Sequence, residues 1–565
     1  MMQYSPYSLG LTSIAVIAII SGFLSKKKEN IILSAIISTI LIFPVFIYAL
    51  NGTLYLKSKA LIPFVPLVCL VTANFINDLF INRSNRNRIL TVLVTLGLSA
   101  FFIVKWHYNK IFIMDSFITG IAIILFSKTG KKSLIYMPVI ALCTLCCFTV
   151  NINDKLYLAS DEKIESSEGT EDLIENVLKV DKGFYRFTNK IDSLENVNKV
   201  YSTQYYQTTL YSSVYNKGYN NFYYGTFNNE VSFRNSVITN PTKNVLFNIL
   251  MGNKYYITNE TAPIGYDFME SNGKASIYKN DNVFPLGYAT DKLMDERNFD
   301  KLKYPYTDEA LLNYGIVNKK CNDNFSTNIK TFSPEITSIN YHNLKYQENK
   351  GGYFIEAEDN ANMTLNLKEP VKDKVMFIRF HMDLQNKEND TYIIINDVKN
   401  KLTCKNWEYQ NNNFVFDYVL SSNEPIEKLD ILFKKGNYQI SNIEAYTLDY
   451  DKVKNIRKTV DPFEVDMKKT SGDVITGKIN VTSDGYFILN IPYDKGFTIK
   501  VDGKSIDYEK VNKSFIGFKI DKGEKNIKIT YQAPLQNQGI ILSIFGIVMA
   551  VAVCLFENRK KEDKN

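Results

Sequence analysis

Ile111-Phe-Ile-Met-Asp-Ser-Phe-Ile-Thr-Gly-Ile-Ala-Ile-Ile-Leu-Phe-Ser127 is a run of seventeen residues with one charged side chain, Asp115. That length is close to the roughly 20 apolar residues that cross a bilayer. In lipid the backbone must satisfy its own hydrogen bonds, so the run predicts a helix. Further runs of this kind lie near 8–25, 30–50, 60–80, 89–106 and 133–150, and a seventh at 539–556. The predicted architecture is a membrane protein: a bundle of six N-terminal transmembrane helices and one C-terminal helix. These enclose a large segment of the 565-residue chain that is polar enough to stand in water.

Charge sets the direction of threading. Residues 1–150 hold thirteen Lys/Arg against three acids, Glu29, Asp78 and Asp115, whereas the whole chain carries only +7. The positive excess therefore belongs to the membrane end, and residues 151–565 are net acidic. Lys26, Lys27 and Lys28, then Arg83, Arg86 and Arg88, then Lys128, Lys131 and Lys132 fall in alternate loops, and the tail with Arg559, Lys560, Lys561 and Lys564 agrees with them. Basic loops stay in the cytoplasm. The expectation is a multi-pass plasma-membrane protein with its N-terminus and 151–535 extracellular and its C-terminus cytoplasmic. The basic cluster at Lys26 follows the first apolar run instead of preceding it, which argues against a cleaved secretory signal. A net-acidic outer segment also argues against nucleic acid as a partner.

Five of the seven cysteines, Cys69, Cys143, Cys146, Cys147 and Cys554, lie in predicted spans and read as packing residues. Cys321 and Cys404 lie outside, and one disulfide or two thiols both remain open, since spacing alone does not bring them together. No zinc spacing, nucleotide-binding glycine loop or Ser-His-Asp order is present, so no metal site is predicted. His342 and His381 are isolated and read as structural or solvated. No buried charge pairs or broken-helix repeats stand out in the spans, which disfavours a transporter.

The outer segment divides by pattern. Residues 151–334 predict an α+β domain: helical spacing from Thr170 to Leu178, a Tyr-rich run from Tyr201 to Phe227, strand-like Lys254–Thr258 and Ala275–Lys279, and a short helix at Asp308–Asn313 in an otherwise irregular 285–330. Residues 335–452 and 453–535 then show short alternating strands. Asp484-Gly485, Asp502-Gly503 and Lys522-Gly523 serve as hairpin turns, and two small β-sandwiches are the economical reading. Residues 536–556 form the last span and 557–565 a basic tail.

Certain words are recognisable. Asn51-Gly-Thr-Leu-Tyr-Leu-Lys-Ser-Lys-Ala-Leu-Ile-Pro-Phe-Val-Pro-Leu67 resembles a segment of the bacterial YfhO membrane protein family. So do Leu250-Met-Gly-Asn-Lys-Tyr-Tyr-Ile-Thr258, Tyr278-Lys-Asn280 and Phe284-Pro-Leu-Gly-Tyr288. Asn490-Ile-Pro-Tyr-Asp-Lys-Gly-Phe497, Val501-Asp-Gly-Lys504 and Phe515-Ile-Gly-Phe518 resemble its last β-domain. The family looks like GT-C glycosyltransferases, which use a polyprenyl-phosphate sugar on the outer face and are linked to glycosylation of teichoic acids and similar envelope polymers. The resemblance therefore implies a donor of that kind, an envelope-polymer acceptor, and membrane lipids as partners. It also implies an acidic motif in the first outer loop. Glu29 and Asp78 lie on the predicted cytoplasmic side, leaving Asp115 alone as a candidate catalytic acid. The expectation is thus a match to the C-terminal part of the family, without its N-terminal catalytic helices. The alternative is a truncated or split, non-catalytic member whose outer domain binds acceptor polymer or supports a separate membrane subunit.

Candidate site residues follow, each beside its ordinary explanation. Lys57 and Lys59, in a short outer loop, either contact a lipid-linked phosphate or simply reach the interface as lysines near helix ends do. Lys105, His107 and Lys110 occupy the next outer loop. Asp115 either has a functional role or pairs with Lys110 or caps a helix. Tyr205, Tyr206, Tyr211 and Tyr215 either present flat faces to a glycan or belong to the core.

Overall fold

The structure, a computed structural model, describes residues 12–51, 53, 58–81, 89, 92–97, 111–154, 169–191, 205–212, 215–232, 237–321, 324–349, 351–407 and 409–562. The chain forms two compact units, Met1–Ser160 and Asp161–Asn565.

In the first unit the helices Ser13–Phe23, Lys28–Ile42, Val65–Ile81, Ile111–Thr129 and Ser133–Asp154 pack through Ile17, Ile37, Val71, Leu79, Ile123 and Phe126. Their outward faces keep large apolar side chains such as Ile32, Leu70 and Phe117 uncovered, as lipid-facing helices do. Leu61–Ile81 and Ile111–Thr129 are long and apolar enough to cross a membrane. The run expected as one unbroken helix over 30–50 is instead broken: Lys28–Ile42 and Pro44–Leu50 meet at 85°. Pro44 has no N–H to continue the ladder and pushes Phe43 into an extended conformation, φ −96° and ψ 108°. Two helices also approach closely. A Cβ on Gly22 would stand 1.9 Å from Ser34 Oγ, so a side chain there would have to displace that hydroxyl. Most of the run expected at 89–106 lies outside the described residues.

The second unit opens with helix Glu171–Val180 laid on a four-stranded sheet ordered Arg186–Asn189, Asn253–Thr258, Ser276–Lys279, Asp267–Ser271. Leu173, Ile174 and Val177 on the helix meet Phe187, Tyr255 and Ile277 from the sheet. The helix expected at Asp308 runs over Tyr306–Asn313.

The two later sets of strands differ from the sandwiches expected. Each forms one continuous hydrogen-bonded sheet of nine strands, barrel-like around its own apolar core. In the first, Gly352–Val371 pairs with Gly436–Asp449 over 352–357 and with Ile426–Phe433 from 361 onward. Asn360, with φ at +58°, sits where the strand exchanges one neighbour for the other. In the second, Gly287–Thr290 lies between Asp461–Val465 and Gly485–Pro492. The sequence predicts an irregular 285–330, and this strand corrects that expectation. Four residues far from their partners carry too little periodicity to be seen locally. Asp502 and Gly503, with φ of +49° and +81°, make the tight turn their identities require. After Tyr531 the chain passes into helix Gln536–Glu562, whose span Gln536–Phe556 is uncovered throughout its most apolar window.

Candidate functional site

The structure distributes the candidate residues unevenly. Lys57, Lys105, His107 and Lys110 lie outside the described residues, and Lys59 falls in the short 3-10 segment Ser58–Phe64. Asp115 is fully buried in the membrane unit. Its Oδ2 accepts the backbone N–H of Ser13 at 2.7 Å and its Oδ1 the Ser13 hydroxyl at 2.6 Å, while Thr119 donates to Oδ1 at 3.2 Å. Its carboxylate caps another helix, the one starting at Ser13, whose own N-cap residue Thr12 makes no capping side-chain bond. Lys110, the pairing partner expected for it, lies outside the described residues.

The Tyr-rich run divides. Tyr219, Phe222 and Tyr223 are core, and Tyr223 donates to the Thr239 carbonyl at 2.5 Å. Tyr211 and Tyr215 are exposed, Tyr211 in a two-residue strand and Tyr215 ahead of a short helix. Tyr205 and Tyr206 turn toward a cleft of about 550 Å³ in the α+β part, with Asp181, Tyr185, Phe187 and Met467 on its other walls.

This cleft is built on one parallel strand pair. Strand Arg186–Asn189 runs beside Asn253–Thr258, and the Phe187 amide donates to the Tyr206 carbonyl at 2.8 Å, drawing the Tyr-rich segment against the sheet. Phe187 packs on Tyr205 at 5.3 Å and on Tyr185 at 5.7 Å between ring centres, and Tyr206 meets Phe184 edge-on at 5.2 Å. Tyr206 remains 47% exposed. The rings form an apolar wall with one rim open.

Asp181 ends the helix Glu171–Val180, where the helix dipole disfavours an acid. Three donors hold it: Lys254 Nζ at 2.6 Å and the Tyr255 hydroxyl at 2.8 Å on Oδ2, and the Gly183 amide at 2.9 Å on Oδ1. Burial alone would raise its pKa, but those donors and the Lys254 charge bring it below the ordinary carboxylate value. Burial first, and then Asp181 itself, push the Tyr185 phenol upward, so it stays a hydrogen-bond donor. Lys254 also lies over the Tyr185 and Tyr255 rings at 5.3 and 5.7 Å. A carboxylate this firmly held is an acceptor of hydrogen bonds and a poor general base. With rings on one side and fixed charge on the other, the cleft suits a ligand that has an apolar face and hydroxyl edges.

Sequence reasoning missed Asp181, Tyr185 and Lys254. The signal for Lys254 and Tyr255 was present in the word Met251-Gly-Asn-Lys-Tyr-Tyr256, which supplies the strand that clamps Asp181. Cys321 and Cys404 are not bonded to each other: the first donates to the Lys319 carbonyl, and the second is buried just past strand Val398–Leu402. Among the described residues no group of three or more His, Cys, Asp or Glu is placed to hold a metal.

Apolar helices joined to a large β-rich segment define a membrane protein. The chain belongs to the YfhO family: the profile described as Bacterial membrane protein YfhO matches residues 5–543. A relative named Uncharacterized protein YfhO, from Bacillus subtilis (strain 168), is 26% identical over 365 residues, covering 62% of this chain and 41% of the relative. The match thus spans well under half of that relative's length. Solved structures with local likeness include a carbohydrate binding module of family 29, 10% identical over 22% of this chain and 91% of that one, with a TM-score of 0.15. Another is a cycloisomaltooligosaccharide glucanotransferase of Paenibacillus sp., 8% identical over 41% of this chain and 49% of that one, with a TM-score of 0.13. Scores of that size decide neither fold nor ligand.

Proposed function

We propose that this YfhO-family membrane protein works in cell-envelope glycosylation, of teichoic acid or a related polymer, at the outer face of the plasma membrane. In this reading it forms part of a GT-C-type system that draws sugar from a polyprenyl phosphate. Six spans within 1–150 and one at 536–556 carry it, with 151–535 outside and the C-terminus inside, as the Lys/Arg asymmetry requires. Lys57 and Lys59 meet the lipid-linked phosphate, and the Tyr205–Tyr206 cleft holds the glycan. The observation that carries the reading is the cleft itself, aromatic walls around a clamped carboxylate in a chain anchored to a membrane. Deleting the gene is expected to lower the sugar content of envelope polymers, and unchanged glycosylation would overturn the proposal.

A second reading is favoured by Asp115. The only acid of 1–150 outside the predicted cytoplasmic loops is occupied as a helix cap. This chain then binds acceptor polymer or supports a catalytic partner. The full-length protein in detergent, applied to an array of teichoic-acid glycans, should bind, and Tyr206→Ala should lower that binding at least tenfold. The pair Lys57→Ala and Lys59→Ala should weaken binding of a polyprenyl-phosphate analogue. If the pair has no effect, the lysines do not contact phosphate.

A further inference from the structure

We propose that the end of the last β-sheet nearest helix Gln536–Glu562 is a membrane seat, in which a ring of aromatic side chains takes up the headgroup layer of the bilayer entered by that helix. Strands Phe497–Val501 and Gly523–Tyr531 are antiparallel, and Phe497 pairs with Tyr531 at the end where the chain leaves the sheet. Four rings gather there. Phe497 lies 4.7 Å from Tyr531 and 6.5 Å from Tyr508, and Tyr493 lies 5.6 Å from Tyr508. None is fully buried. Tyr493, Phe497 and Tyr508 line a cleft of about 380 Å³ together with Lys495, Ile506 and Asp507.

The neck that ties this end to the helix is short and bonded. The Gln532 amide donates to the Gly496 carbonyl at 2.9 Å, and the Gln532 side-chain amide donates to Asn537 Oδ1 at 2.9 Å, one residue into the helix. A Cβ on Gly496 would stand 2.3 Å from the Gln532 carbonyl oxygen, so the turn Asp494–Phe497 lies directly against the neck. Three residues below Asn537, about 4.5 Å along a helix axis, comes Ile540, the first bulky apolar residue of the uncovered span. The polar layer on each side of the hydrocarbon is roughly 5–8 Å thick. The hydrogen bond to Asn537 therefore puts the aromatic cluster at the depth of that layer. Tyrosines at this depth place an apolar body toward lipid and a hydroxyl toward water. Lys495, Asp494 and Asp507 supply both signs of charge, which matches a zwitterionic headgroup better than a purely anionic one. Continuity with the span fixes the occupant as the bilayer surface.

Lipid proximity tests this in the full chain, reconstituted in phosphatidylcholine vesicles, with Trp106→Phe and Trp407→Phe removing the native indoles. One tryptophan is then added as Phe497→Trp, as Thr498→Trp on an exposed position of the same cleft, or as Lys504→Trp. Lys504 pairs with Val501, about 13 Å along the strand from Phe497. With phosphatidylcholine brominated high on its acyl chains, quenching at 497 and 498 should exceed that at 504 at least twofold. Equal quenching at all three sites overturns the proposal. If Phe497→Trp does not fold, the exposed Thr498→Trp decides the matter alone.

Discussion

The carboxyl group of Asp115 caps the helix that begins at Ser13, accepting its backbone N–H at 2.7 Å and its hydroxyl at 2.6 Å across 102 positions of sequence. A buried N–H with no acceptor costs on the order of 1–3 kcal/mol. Asp115→Ala should therefore destabilise the purified protein by about that amount in detergent-driven unfolding, and Asp115→Asn, which keeps one acceptor, by less. A catalytic role would show the opposite split: Asp115→Asn would abolish glycosylation and leave stability unchanged.

Gly22 and Ser34 make a second test in the same unit. Ser34 Oγ is buried without a hydrogen-bond partner among the described residues and stands where a Cβ on Gly22 would fall. Gly22→Ala should lower stability, and Gly22→Val should lower it further. Ser34→Ala should be neutral, and combined with Gly22→Ala it should recover part of the loss. Additive effects in the double variant would show that the two sites do not touch.

Arg186 joins the first sheet to the last. Its guanidinium donates to the Met251 carbonyl at 2.6 Å and to the Asn490 carbonyl at 2.8 Å. Arg186→Met leaves both acceptors without this donor and should cost roughly 2–4 kcal/mol in denaturant unfolding of the full chain. Arg186→Lys should restore little, since an ammonium lacks the planar fork.

Asp308 gives a pH dependence. It is fully buried, with only Thr307 donating to Oδ1 at 3.3 Å, and its Oδ2 has no partner among the described residues. Burial pushes its carboxyl well above the ordinary range. Asp417 adds to the rise, while the Thr307 hydrogen bond and Arg379 oppose it. A raised acid binds its proton more tightly in the folded state. Its contribution to stability is thus complete below the unfolded pKa and declines as pH rises through the folded one. Melting temperature should fall over that interval, and Asp308→Asn should flatten the profile and raise stability at neutral pH. An identical profile in the variant would assign the dependence to another group.

Much of the architecture was legible in the chain itself. Apolar length marks Ile111–Thr129 and Gln536–Phe556 as spans, because a bilayer imposes one length and one polarity on whatever crosses it. Period-two alternation and turn residues such as Asp502-Gly503 locate most late strands, since both are local requirements. The break at Pro44 carries a local signal too, but hydropathy continues through it and hides it.

The cleft was only half legible. A tyrosine in a Tyr-rich run carries no mark of burial, and only packing separated Tyr223 in the core from Tyr206 at the rim. Asp181 and Lys254 are 73 positions apart, and their meeting depends on a parallel strand pair that no local pattern announces.

By itself, then, the sequence determined that the chain is a membrane protein with a basic helical end and a net-acidic β-rich segment, because hydropathy and charge are properties of residues. Tertiary structure alone decided which residues act together. Asp115 became a cap, Gly287–Thr290 a central strand, and Asp181 a clamped acceptor through partners distant in the chain. Such partnerships are set by how whole elements bury their faces, and that information is spread over many residues instead of being written at any one of them.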